Sequence, residues 1–384
     1  MQNCEGRIER VEKARFLGER WRDIGCNARK GWHGKTVYLD LVRITIDGET
    51  GFGWSSITKD HAEKIVGTPL REMFNNAGRI RSEYRSIEYP LLDWWGRMKQ
   101  LPVYALVAGD EFEKENAPTL NVPCYDTTLY FNDLHLREDS DAVPLMQEKA
   151  LEGWNRGYRA FKIKVGRGAR HMPLLKGIKR DIEIIRGIRE ALGSKAEIMI
   201  DANNSYNLNI AKEVLYATAD AHLIFIEEPF YEDPILYEDL KNWMDKEKIP
   251  VLIADGEGLT AAPALVDWAK QGFIDVIQYD IRFYGFNKLL ELEDRLKGSK
   301  VMQAPHNYGG PYGNYASCHI APAMERFLTV EWDEVKVNGL DAPGYTLVEG
   351  KIRVPNSPGF GLHLDDDHFA KAVQESGWQI TLNL

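Results

Sequence analysis

The chain is poor in cysteine, in long apolar runs and in positive charge, and each shortage removes a class of function. Its 384 residues include four cysteines, Cys4, Cys26, Cys124 and Cys318, with no close pair. Neither a zinc knuckle nor a disulfide framework is indicated, and a reducing compartment is the simplest expectation. No stretch approaches the ~20 apolar residues of a membrane span. Met1 to Arg10 is polar and lacks a signal-peptide core, so a cytoplasmic location is expected. With 48 Lys and Arg against 58 Asp and Glu, the net charge is -10. That balance argues against a general nucleic-acid or anionic-membrane surface. An acidic protein that binds an anion must supply its positive charge locally.

What the sequence does contain is a repeat. Apolar runs end in a polar residue at Asp201, Glu227, Glu257, Asp280, His306 and Glu331, in steps of 26, 30, 23, 26 and 25 residues. The run Leu223-Ile-Phe-Ile-Glu-Glu-Pro229 is the plainest case and reads as a buried strand with acid at its tip. Strands beginning near Val122, Phe161, Ile198, Leu223, Val251, Val276, Val301 and Phe327 number eight. They are apolar on successive residues, as in a parallel sheet buried on both faces. Between two of them, Leu175, Ile178, Ile182, Ile185, Ile188 and Leu192 form one helical stripe closed by Gly193. The expected fold is α/β: a modified (β/α)8 TIM barrel, with an α+β capping domain formed by the N-terminal region and the C-terminal tail. The expected boundaries are 1–118 for the cap, 119–335 for the barrel and 336–384 for a tail returning to the cap, with Glu111 to Pro118 as the linker. In the cap, Thr36 to Trp54 reads as a hairpin turning at Asp47-Gly48, and Gly25 to Gly34 as a connection able to close over a ligand.

Strand C-termini in such barrels converge on one mouth. There Asp201, Glu227 and Glu257 would stand on neighbouring strands, repelling one another by ~4 kcal/mol per close pair at an effective dielectric near 20. A cation must sit among them. All-oxygen ligation points to a hard dication, Mg2+ or Mn2+, with Asp255 competing for the fifth-strand place because residues i and i+2 share a strand face. Glu228, next to Glu227, would then face the barrel wall. Lys162 and Lys164 share a face, and two close ammonium groups should depress each other until one serves as a neutral base. Across the mouth, Asp280 could orient His306 and raise its basicity. Glu331, if protonated, could donate to a developing oxyanion. Asn203, Lys162, Trp32 and His33 are the candidate substrate contacts. Gly166 to Pro173, with Arg167, Arg170 and His171, reads as a solvated loop before it reads as a binding element. This layout suits removal of a proton alpha to a carboxylate. A general base supplies only ~10²- to 10⁴-fold, so charge stabilisation by metal and lysine must contribute more.

Lys162-Ile-Lys164, Asp201-Ala-Asn203, Glu227-Glu-Pro229, Gly256-Glu257, Asp280 with His306, and Glu331 together resemble the mandelate racemase subgroup of the enolase superfamily. Leu92-Asp-Trp-Trp-Gly96, Leu101-Pro-Val-Tyr104 and Pro358-Gly-Phe-Gly361 extend the likeness over nearly the whole chain. The resemblance implies Mg2+ on Asp201, Glu227 and Glu257, with Lys164 and the His306–Asp280 dyad as bases. It also implies a small-molecule carboxylate substrate, most often an acid sugar (an aldonate or aldarate) undergoing dehydration, and a homo-oligomer. A racemase or epimerase would use the same two bases. A Schiff-base aldolase could use Lys164 without the acid triad, and a non-catalytic binding protein would need neither base.

Overall fold

The computed structural model describes residues 6–75, 78–107, 119–258 and 261–382. The expected linker and the boundary at 118 lie outside the described residues.

Three antiparallel strands open the chain: β1 (Ile8–Arg20), β2 (Thr36–Ile46) and β3 (Glu49–Trp54). Asp47 and Gly48, both at positive φ, make the tight turn between β2 and β3. From Ala14 to Arg20 burial alternates residue by residue, so Ala14 and Phe16 face the core while Arg15 and Leu17 face water. The helix Glu88–Lys99 crosses β3 so closely that a Cβ on Gly51 would meet the Trp94 backbone nitrogen at 2.4 Å. After residue 334 part of the chain joins this sheet, whereas Thr346–Val348 and Lys351–Val354 form a hairpin whose second strand pairs antiparallel with Leu120–Pro123 of the second sheet. Val335–Val337 and Trp378–Thr381 both pair with β1, and Leu340–Asp341 and His363–Leu364 extend the sheet beyond Val335–Val337.

The second sheet is the barrel. Its strands are β4 (Leu120–Leu129), β5 (Ala160–Lys164), β6 (Glu197–Asp201), β7 (Leu223–Glu227), β8 (Leu252–Asp255), β9 (Val276–Ile277), β10 (Met302–Gln303) and β11 (Val330–Trp332). Consecutive strands from β4 to β10 run parallel, Gln303 bridges to Phe327, and β11 pairs back onto β4 to close the ring. A helix follows each of the first seven strands. After β11, no eighth crossover helix occurs among the described residues and the chain passes straight into the cap sheet. The long helix Leu174–Leu192 buries Ile178, Ile184, Ile185, Ile188 and Leu192, whereas Leu175, expected in its stripe, is 77% exposed. Burial begins at Gly177 and Ile178, so the apolar stripe starts one turn later than expected.

Inside the ring, Tyr125, Ala160, Met199, Phe225, Ala254, Val276 and Ala304 form a separate apolar floor. Two residues further along the same strands stand Lys162, Asp201, Glu227, Gln278 and His306. The period of two thus lays a polar storey on an apolar one.

Candidate active site

The polar storey is a closed network of charge. Lys162, with no exposed surface, has its Nζ 2.8 Å from Glu227 Oε2, 3.1 Å from Glu331 Oε1 and 3.6 Å from Asp201 Oδ2. Lys164 bonds Asp201 and lies 5.1 Å from the centre of the Tyr130 ring. Burial works against both ammonium groups. Glu227, with Glu331, outweighs it at Lys162, and Asp201 does so at Lys164, so both are held above the ordinary lysine range. The expected mutual depression is therefore not the governing effect. Each lysine faces an acid nearer than the other lysine.

Asp201, Glu227 and Glu257 each present a carboxylate oxygen within 4.8 Å of the others. Burial and the neighbouring Asp201 raise Glu227, and burial with Glu228 and Asp201 close by raises Glu257. Such crowding of hard oxygen donors is what a divalent cation relieves, so these three residues fit Mg2+. Asn203, in the left-handed region at φ 46, donates its amide N–H to Asp201 Oδ1 at 2.8 Å. Its Nδ2 reaches Glu228 at 3.4 Å and Glu257 at 3.5 Å, while its buried Oδ1 has no hydrogen-bond partner.

Asp255 does not compete for the metal. Ala254 is the inward residue of β8, so Asp255 points to the helix layer and accepts from Tyr237 Oη and Gly256 N, each at 2.6 Å. Gly256, at φ 112, breaks the alternation and brings Glu257 back to the mouth. A similar break corrects the expectation for Glu228. At φ 41 the strand ends, and its carboxylate lines the mouth instead of the barrel wall. Burial, then Asp201 and Asp255, push Glu228 up to about 7.

Opposite the lysines, His306 Nδ1 lies 2.8 Å from Asp280 Oδ2, which fixes the ring, and Nε2 lies 3.2 Å from Glu257 Oε2. Burial opposes the imidazolium, yet Glu257, Glu331 and Asp280 together push His306 up to about 10. Burial also disfavours a charged Glu331, but Lys162, His306 and Lys164 pull it down to about 2. It is a carboxylate accepting from Thr127 Oγ1 (2.5 Å) and Asn307 N (2.9 Å), not the protonated donor expected.

Above this storey lies a cavity of 420 Å³. Asn27, Arg29, Lys30 and His33 of the cap line it, with Tyr130, Lys164, Asn203, Glu257, Arg282, His306 and Tyr308 from the barrel. His33 packs edge-on to Tyr130 and Tyr308 at 5.0 and 5.3 Å, and its buried Nε2 has no partner. Burial, then Lys164, Lys30 and Arg20, lower it to about 4, so the ring is neutral. Trp32 is not brought to the site. It is 56% exposed and donates to Asp23. Gly166 to Pro173 is the solvated connection expected only in part, with Ala169, Arg170 and Pro173 exposed but its root buried. Arg167 has no exposed surface and is clamped between Asp133 at 2.8 Å and Asp181 at 2.7 Å. Sequence reasoning passed over Gln278, which donates to Glu227 at 3.0 Å, although its place two residues before Asp280 was signal enough. Tyr130, Arg282 and Tyr308 carried no such signal.

Residues 145–368 match the family model described as enolase C-terminal domain-like. The chain belongs to this family. A crystal structure of galacturonate dehydratase from Geobacillus sp., complexed with D-galacturonate and 5-keto-4-deoxy-D-galacturonate, is 49% identical with a TM-score of 0.94, over 98% of this chain and 99% of that one. A mandelate racemase/muconate lactonizing protein from Geobacillus sp. Y412MC10, complexed with magnesium and tartrate, is also 49% identical, with a TM-score of 0.96 over 99% of this chain and 98% of that one. The arabinonate dehydratase of Saccharolobus solfataricus is 25% identical over 80% of this chain and 76% of its own length. The (β/α) barrel with its cap is thus a fold this chain shares with enzymes of its family. No helix among the described residues is long and apolar enough to cross a membrane.

Proposed function

We propose that the chain is a Mg2+-dependent acid-sugar dehydratase whose substrate is a hexuronate of the galacturonate kind. The observation that supports this reading is that Lys162 and Lys164 contact Glu227 and Asp201 while His306, paired with Asp280, contacts Glu257, so candidate bases flank the three oxygens. A 49% identical galacturonate dehydratase, complexed with D-galacturonate and 5-keto-4-deoxy-D-galacturonate, supports the uronate over the aldonate or aldarate first expected.

Bound Mg2+ would neutralise the substrate carboxylate and the charge that grows on it as the alpha proton leaves. The protein's own residues supply the rest. In a hexuronate the acidic C–H is at C5 and the hydroxyl beta to the carboxylate is at C4. Lys164, whose proton Asp201 holds only while that carboxylate is not committed to a metal, is placed in its neutral form to take the C5 proton from one face. Lys162, locked between Glu227 and Glu331, stays charged and faces the carboxylate end. His306, held by Asp280, is placed to give its Nε2 proton to the departing C4 hydroxyl, so one water leaves. The enol then gains a proton at C4, loses the one on its C5 oxygen and becomes the 5-keto-4-deoxy acid. Asn203 Oδ1 and His33 Nε2, both without partners, are placed to orient hydroxyl groups.

The test is incubation with Mg2+ and a panel of uronates, aldonates and aldarates in D2O. A keto acid formed from galacturonate, abolished by EDTA, is expected. Exchange of the alpha proton without keto-acid formation would replace this reading with an epimerase, and neither signal from any acid would overturn it. A homo-oligomer belongs to this reading, and Leu175, Tyr231 and Ile235, each more than two-thirds exposed, are apolar side chains open to a second copy. Sedimentation as a monomer would remove that part.

A further inference from the structure

The segment that follows Lys164 is rooted in the barrel and ends on the cap. At its root, Arg167 Nη1 donates to the Lys164 carbonyl at 3.3 Å, and Gly166 N donates to Asp181 Oδ2 at 2.7 Å. The Arg167 guanidinium stacks 4.3 Å from the centre of the Phe131 ring, and His171 meets the same ring edge-on at 5.8 Å. At the tip, His171 Nε2 lies 2.8 Å from the Asn27 carbonyl oxygen, and Arg170 Nη1 lies 2.5 Å from that of Arg29. A carbonyl oxygen only accepts, so Nε2 of His171 carries the hydrogen. Ala28 sits against Gly166, where a Cβ would come within 3.0 Å of its own.

The cap loop needs such support. Main-chain bonds from His33 and Gly34 to Ile24 and Gly25, and between Cys26 and Phe131, secure its two ends. Between them Asn27 Oδ1 caps Arg29 N and Lys30 N, which shapes the turn but does not tie it to the barrel. Among the described residues, the side-chain tie made by the turn itself is that of Arg29 to Tyr231, a contact between exposed groups that contributes little.

We propose that His171, assisted by Arg170, is a positioning residue that holds the cap loop over the barrel mouth, setting Asn27, Arg29 and Lys30 at a fixed distance from Lys164. The inference rests on the barrel mouth being the substrate site. The contacts of His171 are the Asn27 carbonyl and the Phe131 ring, neither of them a reacting group, so its loss should act on binding and leave the chemistry in place.

The experiment compares full-length, Mg2+-loaded H171L and H171Q with the parent by steady-state kinetics and by hydrogen exchange of peptides spanning residues 26–34. H171L removes the donor, and H171Q offers an amide N–H in its place. The expected result for H171L is a KM raised about five-fold, the effect of one partly buried hydrogen bond, with kcat kept and faster exchange at Ala28 to Trp32. H171Q should recover most of both. Unchanged exchange in H171L, a fall in kcat at constant KM, or H171Q behaving like H171L would each overturn the proposal. If the parent turns over no acid sugar, the functional reading falls by itself and the exchange comparison still decides whether His171 holds the loop.

Discussion

The cavity has two walls built on different principles. Beneath the barrel wall, Lys162, Asp201, Glu227 and Glu331 are all but fully buried and each has a charged or hydrogen-bonded partner within the ring. On the cap wall, Arg29 and Lys30 are exposed and His33 Nε2 has no partner. Strands fixed on both sides by neighbours can hold reacting groups to a fraction of an ångström, which proton transfer requires. A loop tied at a few points can be exchanged without disturbing them, which suits selection among related sugars. On the proposed function, the contrast would put the chemistry on one wall and the choice of substrate on the other.

The largest effect should follow from changing the barrel wall. Glu227→Gln removes a metal-site charge while keeping shape and its contact with Lys162. Loss of several kcal/mol of charge stabilisation corresponds to a fall of about 10³-fold or more in kcat/KM. Circular dichroism should show the fold retained. Asp255→Asn is the control, because that carboxylate faces Tyr237 and not the triad. Its activity should fall far less. If the two variants lose activity equally, the barrel wall does not end where the geometry places it.

An intermediate effect concerns the fixed part of the cap. Glu88, buried, accepts from the backbone N–H groups of Phe286 (2.7 Å) and Asn287 (3.2 Å) at the start of the helix Phe286–Leu296. Burial raises it from the ordinary 4.5 to about 7, against the pull of those amides. A folded-state value above the unfolded one means that the native protein holds the extra proton between those limits. Stability therefore declines as pH rises from about 4.5 to about 7 and is level above that. The decline attributable to this group is up to about 3 kcal/mol. Glu88→Gln should remove it, so urea titrations at pH 5 and pH 8 should show the variant gaining on the parent at the higher pH. A constant difference between the two proteins would mean that this junction does not titrate.

The barrel wall was readable in the sequence and the cap wall largely was not, for physical reasons visible at single residues. Asp201, Glu227, Asp280, His306 and Glu331 recur at the repeat length, and the two-residue period of a strand places Lys162 beside Lys164. Where backbone dihedrals leave that period, reading by alternation fails. Gly256 at φ 112 separates Asp255 from Glu257, and Glu228 at φ 41 turns an outward residue inward. Charge was misleading for a different reason. Arg167 lies in a polar stretch that looks solvated, but its two carboxylate partners come from residues 133 and 181, and no local pattern links them. The protonation expected of Glu331 and of the lysines failed because each depends on the distance to partners on other strands.

The smallest expected effect is also the sharpest test of the contrast. Trp32 lies on the cap loop but outside the cavity, with its indole nitrogen on Asp23. Replacing an exposed side chain of this kind normally changes stability by no more than about 0.5 kcal/mol. Trp32→Ala should accordingly leave kcat/KM within about two-fold, since 0.5 kcal/mol converts to little more than that. A ten-fold rise in KM would mean that the indole enters the cavity when substrate binds. The cap wall would then be a surface assembled by the ligand, and the tie made by His171 would have to yield during each turnover.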